Sequence, residues 1–152
     1  MEFEVIKVPG HTLGHIAFHF PKAKAAFTAD SLMALGCGRV FEGTPEMMWE
    51  SLSKLAALPP ETVIYSGHEY TQANARFALT IEPENEELKS RAEAIAQARA
   101  DDRPTAQVPL SEELSTNPFL RASDPAVKRA VGMQDATDSQ VFAEVRARKD
   151  RF

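Results

Sequence analysis

Thr62-Val63-Ile64-Tyr65-Ser66-Gly67-His68 is a short apolar run of strand type that stops at a glycine and delivers a histidine at the next position. Two other stretches have the same build. Phe3 to Gly10 (FEVIKVPG) leads into His11, and Ala23 to Ala29 (AKAAFTA) leads into Asp30. Placed side by side in one sheet, the three strands would release these side chains at a single edge, where open α/β sheets carry their chemistry. His, Asp and His are side chains that bind divalent cations, so the pattern supports a metal-site hypothesis.

Composition bounds what such a site belongs to. With 152 residues and 43% apolar content, the chain can bury the core of one domain, or of a small domain and a half. It contains no apolar run of about 18 residues and no charged-then-apolar leader, so neither a membrane span nor export is expected, and a cytoplasmic location is. A net charge of -5, with Lys and Arg spread along most of the chain, argues against a nucleic-acid partner. Cys37 is the single cysteine, which excludes an internal disulfide and a cysteine-based zinc cluster. Any metal must sit on His and carboxylate.

Outward from the three strand ends, Pro9-Gly10 turns the chain, and Ile16, Phe18 and Phe20 alternate as a further strand. His15 reads as a structural residue or a supporter of His11, and His19 as structural. Asp30, directly after its strand, is either a cap for the next turn or a ligand. Gly36 to Gly43 holds three glycines in eight residues but has neither dinucleotide-fingerprint spacing nor a Walker lysine. It reads as a mobile loop presenting Arg39 and Phe41 beside the strand ends, with Arg39 suited to an anionic substrate.

Thr44-Pro45-Glu46 opens a helix to about Leu58, with Met48, Leu52 and Leu55 as its buried stripe. A strand over 62–65 and a helix over 71–81 complete an α/β pattern. After Glu82-Pro83 the strand signals stop, which predicts a boundary between residues 1–82 and a helical unit over 83–152. Within it, Asn85 caps a helix to about Ala100, 101–109 reads as a linker, and short helices follow over 110–115 and 125–131. Thr137 with Gln140 resembles a capping box for a last helix, whose closing Arg146, Arg148, Lys149 and Arg151 suit its negative end.

Pro9-Gly10-His11-Thr12-Leu13-Gly14-His15, Asp30, Gly36-Cys37-Gly38-Arg39, Ser66-Gly67-His68-Glu69-Tyr70 and Asn117-Pro118-Phe119-Leu120-Arg121 together resemble glyoxalase II, the hydroxyacylglutathione hydrolases of the metallo-β-lactamase superfamily. The resemblance implies an α/β (α+β) fold: the second half of a metallo-β-lactamase αββα sandwich, followed by a small all-helical C-terminal domain. It implies hydrolysis of S-D-lactoylglutathione to D-lactate and glutathione by a hydroxide held at a binuclear zinc centre, with iron or manganese as alternatives. His11 and His68 would each bind one metal, Asp30 would bridge them as the catalytic carboxylate, and Arg39, Phe41, Tyr70 and Arg121 would bind the glutathione thioester.

Two departures stand out. Asp124 occupies a position where the resemblance calls for lysine, and the family's His-x-His-x-Asp-His motif, source of four of its seven metal ligands, has no counterpart among these residues. Each metal is left with about two donors, short of the three usual for catalytic zinc. The resemblance is therefore to the family's C-terminal portion, inactive alone. It predicts an uncovered apolar surface, with self-association or a missing N-terminal half as partner. A non-catalytic glutathione-binding module and a mononuclear persulfide dioxygenase are the competing readings, the second disfavoured by the helical tail.

Overall fold

The computed structural model describes residues 1–152. Three strands, β1 (Glu4–Lys7), β2 (Ile16–Phe20) and β3 (Ala25–Ala29), form an antiparallel meander. A crossover through helix α1 (Pro45–Ala56) then returns the chain as β6 (Val63–Ser66), parallel to β3. The crossover is helical because Thr44 caps it, its hydroxyl accepting from the Met47 amide at 3.2 Å, and because Met48, Leu52 and Leu55 fall on one face. Between β3 and α1 lie β4 (Leu32–Met33) and β5 (Gly36–Cys37), a separate two-stranded hairpin.

Helices α2 (Thr71–Ile81) and α3 (Glu86–Ala100) follow, then β7 (Gln107–Pro109), α4 (Leu110–Thr116), α5 (Pro125–Ala130) and α6 (Asp138–Arg151). The capping box expected for α6 is formed, with Thr137 and Gln140 each satisfying the other's amide. Strand β7 pairs antiparallel with β6, giving the sheet order β1-β2-β3-β6-β7. The sequence reads these residues as linker, because Val108 is the one strongly apolar side chain in a strand of three residues. Its place at the sheet edge tolerates Pro109, which has no amide to donate.

Ala17, Ala26 and Ile64 point to the covered face, where α1 and α6 pack. One core of 20 buried residues draws Val8 and Leu52 from before the expected boundary, and Phe119, Phe142 and Val145 from after it. Burial of Phe119 and Phe142 contributes about 2–3 kcal/mol each. The opposite face is open. There Val5 faces Phe18, Phe18 faces Phe27 and Phe27 faces Tyr65 in register, and Phe27 stacks on Tyr65 at 5.0 Å. Phe3, Val5 and Phe27 are 51, 54 and 47% exposed.

The glycine-rich stretch, read as a loop over 36–43, differs from expectation at Gly36 to Gly38, which close a buried hairpin, while Arg39, Phe41 and Glu42 stay exposed. Leu32 to Gly38 are all buried, and the turn of the hairpin is bonded from three sides. Asn74 on α2 donates to Ala34 O, Glu113 on α4 accepts from the Leu35 amide, and Asn117 donates toward Met33 O and Gly36 O. A loop whose backbone groups are satisfied by buried side chains is fixed, whatever its glycine content.

Candidate metal centre

Asp30 sits one residue beyond β3, after a break in the β3–β6 register. Ala29 adopts φ 47°, a left-handed conformation that costs an alanine about 1 kcal/mol and turns Asp30 out of the strand line. The Gly67 amide holds Ala29 O at 3.0 Å, which brings the end of β6 alongside. Two glycines permit the approach. A Cβ on Gly67 would lie 2.8 Å from Asp30 Oδ1, and one on Gly38 would overlap Asp30 O and lie 2.9 Å from His11 Nδ1.

His68 Nε2 lies 3.1 Å from Asp30 Oδ1, and His11 Nε2 lies 3.8 Å from Asp30 Oδ2. Each carboxylate oxygen thus faces a different imidazole. His11 Nδ1 is 2.8 Å from Arg39 O, and because a carbonyl only accepts, Nδ1 carries the proton. With the ring neutral, the lone pair of Nε2 faces an anionic oxygen, an arrangement that a cation between them makes favourable. Two donors on one metal at bonds of about 2.0–2.2 Å stand roughly 3–4 Å apart, the spacing seen on both sides of Asp30. The residues fit a metal as two donors on each side. No group of three or more His, Cys, Asp or Glu converges on one point, so neither side is complete within these residues.

The neighbourhood fixes both rings. Phe41 packs against His11 at 5.1 Å, and Tyr70 stacks on His68 at 4.7 Å with the planes 3° apart. Glu69 accepts from the Thr105 amide and hydroxyl, tying the segment before β7 to the turn that carries His68. Burial raises the Glu69 carboxyl, but the Thr105 bonds outweigh it and hold the group below the ordinary carboxylate range. His15 sits edge-on to His11 at 5.7 Å, and His19 is buried against Glu4 at 3.0 Å.

His11, Asp30, His68, Arg39, Phe41 and Tyr70 line one cavity of about 570 Å³. Arg121 lies outside it. Its guanidinium makes two bonds to Glu82, at 2.8 and 2.9 Å, and lies 3.2 Å from Asp124, which caps α5. Two cations read from sequence as helix-end partners line the cavity instead: Arg146 and Lys149. Their spacing of three puts both on one face of α6, the one signal that could have paired them. Arg146 donates to Cys37 O at 2.8 Å and to Asp150, which also lies 3.9 Å from Arg39. Burial, then the charges of Arg146 and Arg39, holds the Lys149 ammonium below its ordinary pKa. An anion placed among the three cations would relieve that repulsion. Cys37 borders the same cavity, but burial pushes its thiol up to about 11 against the pull of Arg146, so it is a neutral wall residue.

Comparison with known proteins agrees with this architecture. A family model described as "Hydroxyacylglutathione hydrolase C-terminus" matches residues 69–152, and one described as "Metallo-beta-lactamase superfamily" matches residues 2–68. The chain is 66% identical over 149 residues to a hydroxyacylglutathione hydrolase of Ruegeria pomeroyi, covering 98% of this chain and 58% of that protein. It is 66% identical over 148 residues to one of Cereibacter sphaeroides, again covering 58% of that protein. The chain thus spans well under two thirds of the length of these curated relatives. Among solved structures, the ETHE1 protein of Myxococcus xanthus shares the fold with a TM-score of 0.53 at 22% identity, over 97% of this chain and 52% of that one. A protein crystallised in a di-iron-bound form aligns with a TM-score of 0.51 at 28% identity, over 78% of this chain and 42% of that one.

Proposed function

Since the chain belongs to the hydroxyacylglutathione hydrolase family, we propose that it carries the carboxylate-bridged part of a two-metal site and the cationic wall that holds a glutathione thioester. The reaction is hydrolysis of S-D-lactoylglutathione. Water oxygen bonds to the thioester carbon as both its protons pass to solvent, the carbon–sulfur bond breaks to give D-lactate, and glutathione leaves as a thiolate that takes one proton back.

The observation that carries this reading is Asp30, whose two oxygens face two different histidines inside the cavity that Arg39, Arg146 and Lys149 line. His11 with Asp30 Oδ2 would hold one metal, and His68 with Asp30 Oδ1 the other. Bound there, divalent metal supplies Lewis-acid polarisation of the carbonyl and acidifies water. Zinc is the reading for the native metal, with iron or manganese suited to the same donors. The remaining ligands come from a polypeptide segment outside these 152 residues, and the assembled enzyme is cytoplasmic.

The chain's own residues then bind and orient. Glutathione carries two carboxylates, and the three cations are matched to them, with Arg39 exposed at the rim and Arg146 and Lys149 deeper. Phe41 and Tyr70, 67 and 52% exposed, offer apolar sides for the acyl and cysteinyl portions. A thiol leaves readily as its anion near neutral pH, so no general acid is required of the chain.

The test is thioester hydrolysis, followed by absorbance, with this chain alone and with the separately expressed N-terminal portion of a relative. Activity that needs both pieces and is lost in Asp30→Asn supports the proposal; full turnover by Asp30→Asn refutes it. A second reading, a non-catalytic glutathione-binding module, is favoured by the contrast between three cations and only two donors per metal. Calorimetry with glutathione in chelator separates the two, since binding unchanged by metal, with no turnover after complementation, favours the module.

A further inference from the structure

We propose that Asn117, acting with Glu113 and Asn74 through the β4–β5 hairpin, is a positioning residue that sets the imidazole of His11. The hairpin covalently joins Asp30 to Arg39, whose carbonyl holds the His11 ring that faces Asp30 at the centre. It begins immediately after Asp30-Ser31 and ends at Gly38-Arg39. At its open end the Gly38 amide donates to Ser31 O at 3.1 Å, and Arg39 O takes the Nδ1 proton of His11 at 2.8 Å. A displacement of the hairpin therefore moves the acceptor that selects the His11 tautomer.

Nothing in the hairpin's own two-stranded pairing is large enough to fix it. Side chains reaching its turn do so instead. Asn117 presents its amide N–H groups to Met33 O at 3.3 Å, Gly36 O at 3.1 Å and Glu113 Oε2 at 2.8 Å, while its own oxygen accepts from the Phe119 amide at 2.9 Å. Glu113, fully buried, accepts from the amide of Leu35, a non-glycine residue at φ 56°, and is neutralised by Arg91. Asn74 binds the remaining carbonyl, Ala34 O, at 3.1 Å. Every one of these side chains is buried, so water does not replace a lost bond. The Asn-Pro-Phe-Leu-Arg motif thereby acts inward: its asparagine grips the wall of the cavity, and its arginine is tied to Glu82.

The significance for metal binding rests on the function proposed above; the orientation of the ring does not, and it can be read without metal or substrate. The experiment is long-range ¹H–¹⁵N correlation of the four histidine rings in chelator, at a pH where they are neutral. The wild-type chain is expected to show His11 as a single Nδ1–H tautomer. Asn117→Ala, and independently Asn74→Ala from a different helix, should convert it to a mixture of tautomers while His19, held by Glu4, keeps its spectrum. Asp124→Ala, which removes a helix cap remote from the cavity, is the comparison for destabilisation that does not act through the hairpin. Should Asn117→Ala not fold, Asn74→Ala carries the test. A single His11 tautomer retained in the folded asparagine variants, or lost equally in Asp124→Ala, overturns the proposal.

Discussion

Gly67 and Gly38 are both close to Asp30, yet they are needed for different reasons. The Cβ of a Gly67→Ala variant would meet Asp30 Oδ1, the tip of a side chain that can swing away. Folding stability in urea should therefore change by less than about 1 kcal/mol, while zinc affinity of the complex with the N-terminal portion of a relative, measured by competition with a chelator, falls roughly 10–100-fold. Gly38→Ala meets the Asp30 backbone oxygen, which cannot swing, and should cost about 2–3 kcal/mol in urea denaturation. Cys37 gives a pH-dependent prediction. Its thiol ionises at about 11 when folded, against a reference of 9.0, so the unfolded chain loses this proton first as pH rises. The contribution to stability is complete below pH 9 and is lost on rising through about 11, on the order of 2–3 kcal/mol, and should be absent from Cys37→Ala. At this scale much of the cavity was legible. His11, Asp30, His68, Arg39, Phe41 and Tyr70 were named from strand ends, a glycine-rich stretch and a family resemblance, and they line one cavity. Arg146 and Lys149 were not, because they reach it only when α6 folds back over the hairpin, 109 positions along the chain from Cys37.

Elements were legible wherever a cap and a periodic stripe coincide, as in α1, α3 and α6. They were missed wherever tertiary contacts supply what local sequence lacks. Strand β7 has too few apolar residues to announce itself and exists because β6 offers an edge. The stretch 36–43 reads as a mobile loop from its glycines, yet Gly36 to Gly38 belong to a hairpin fixed by helices whose contribution depends on long-range contacts. Glu113 is the strongest test of that account. Glu113→Ala leaves the Leu35 amide and an Asn117 N–H buried without their acceptor, while Arg91 keeps Glu112 and Thr116, and should cost about 2–4 kcal/mol, measured by denaturation. An exposed ion pair such as Lys89 with Glu86 should be worth far less.

At the scale of the molecule, the sheet is covered on one side and open on the other. An uncovered row of Phe3, Val5, Phe18, Phe27 and Tyr65 should associate with itself or with another apolar face. Phe27→Lys, at the middle of the row, should shift sedimentation toward monomer without loss of helix content. No helix of the chain is long and apolar enough to cross a membrane. The measurement closest to the central claim is metal per chain by plasma mass spectrometry, after zinc loading and gel filtration, on this chain with and without the N-terminal portion of a relative. Two donors on each side of Asp30 predict little retained metal alone and about two per chain in the complex, lost in Asp30→Asn. About two metals held by the monomeric chain alone, and unchanged in Asp30→Asn, would contradict it.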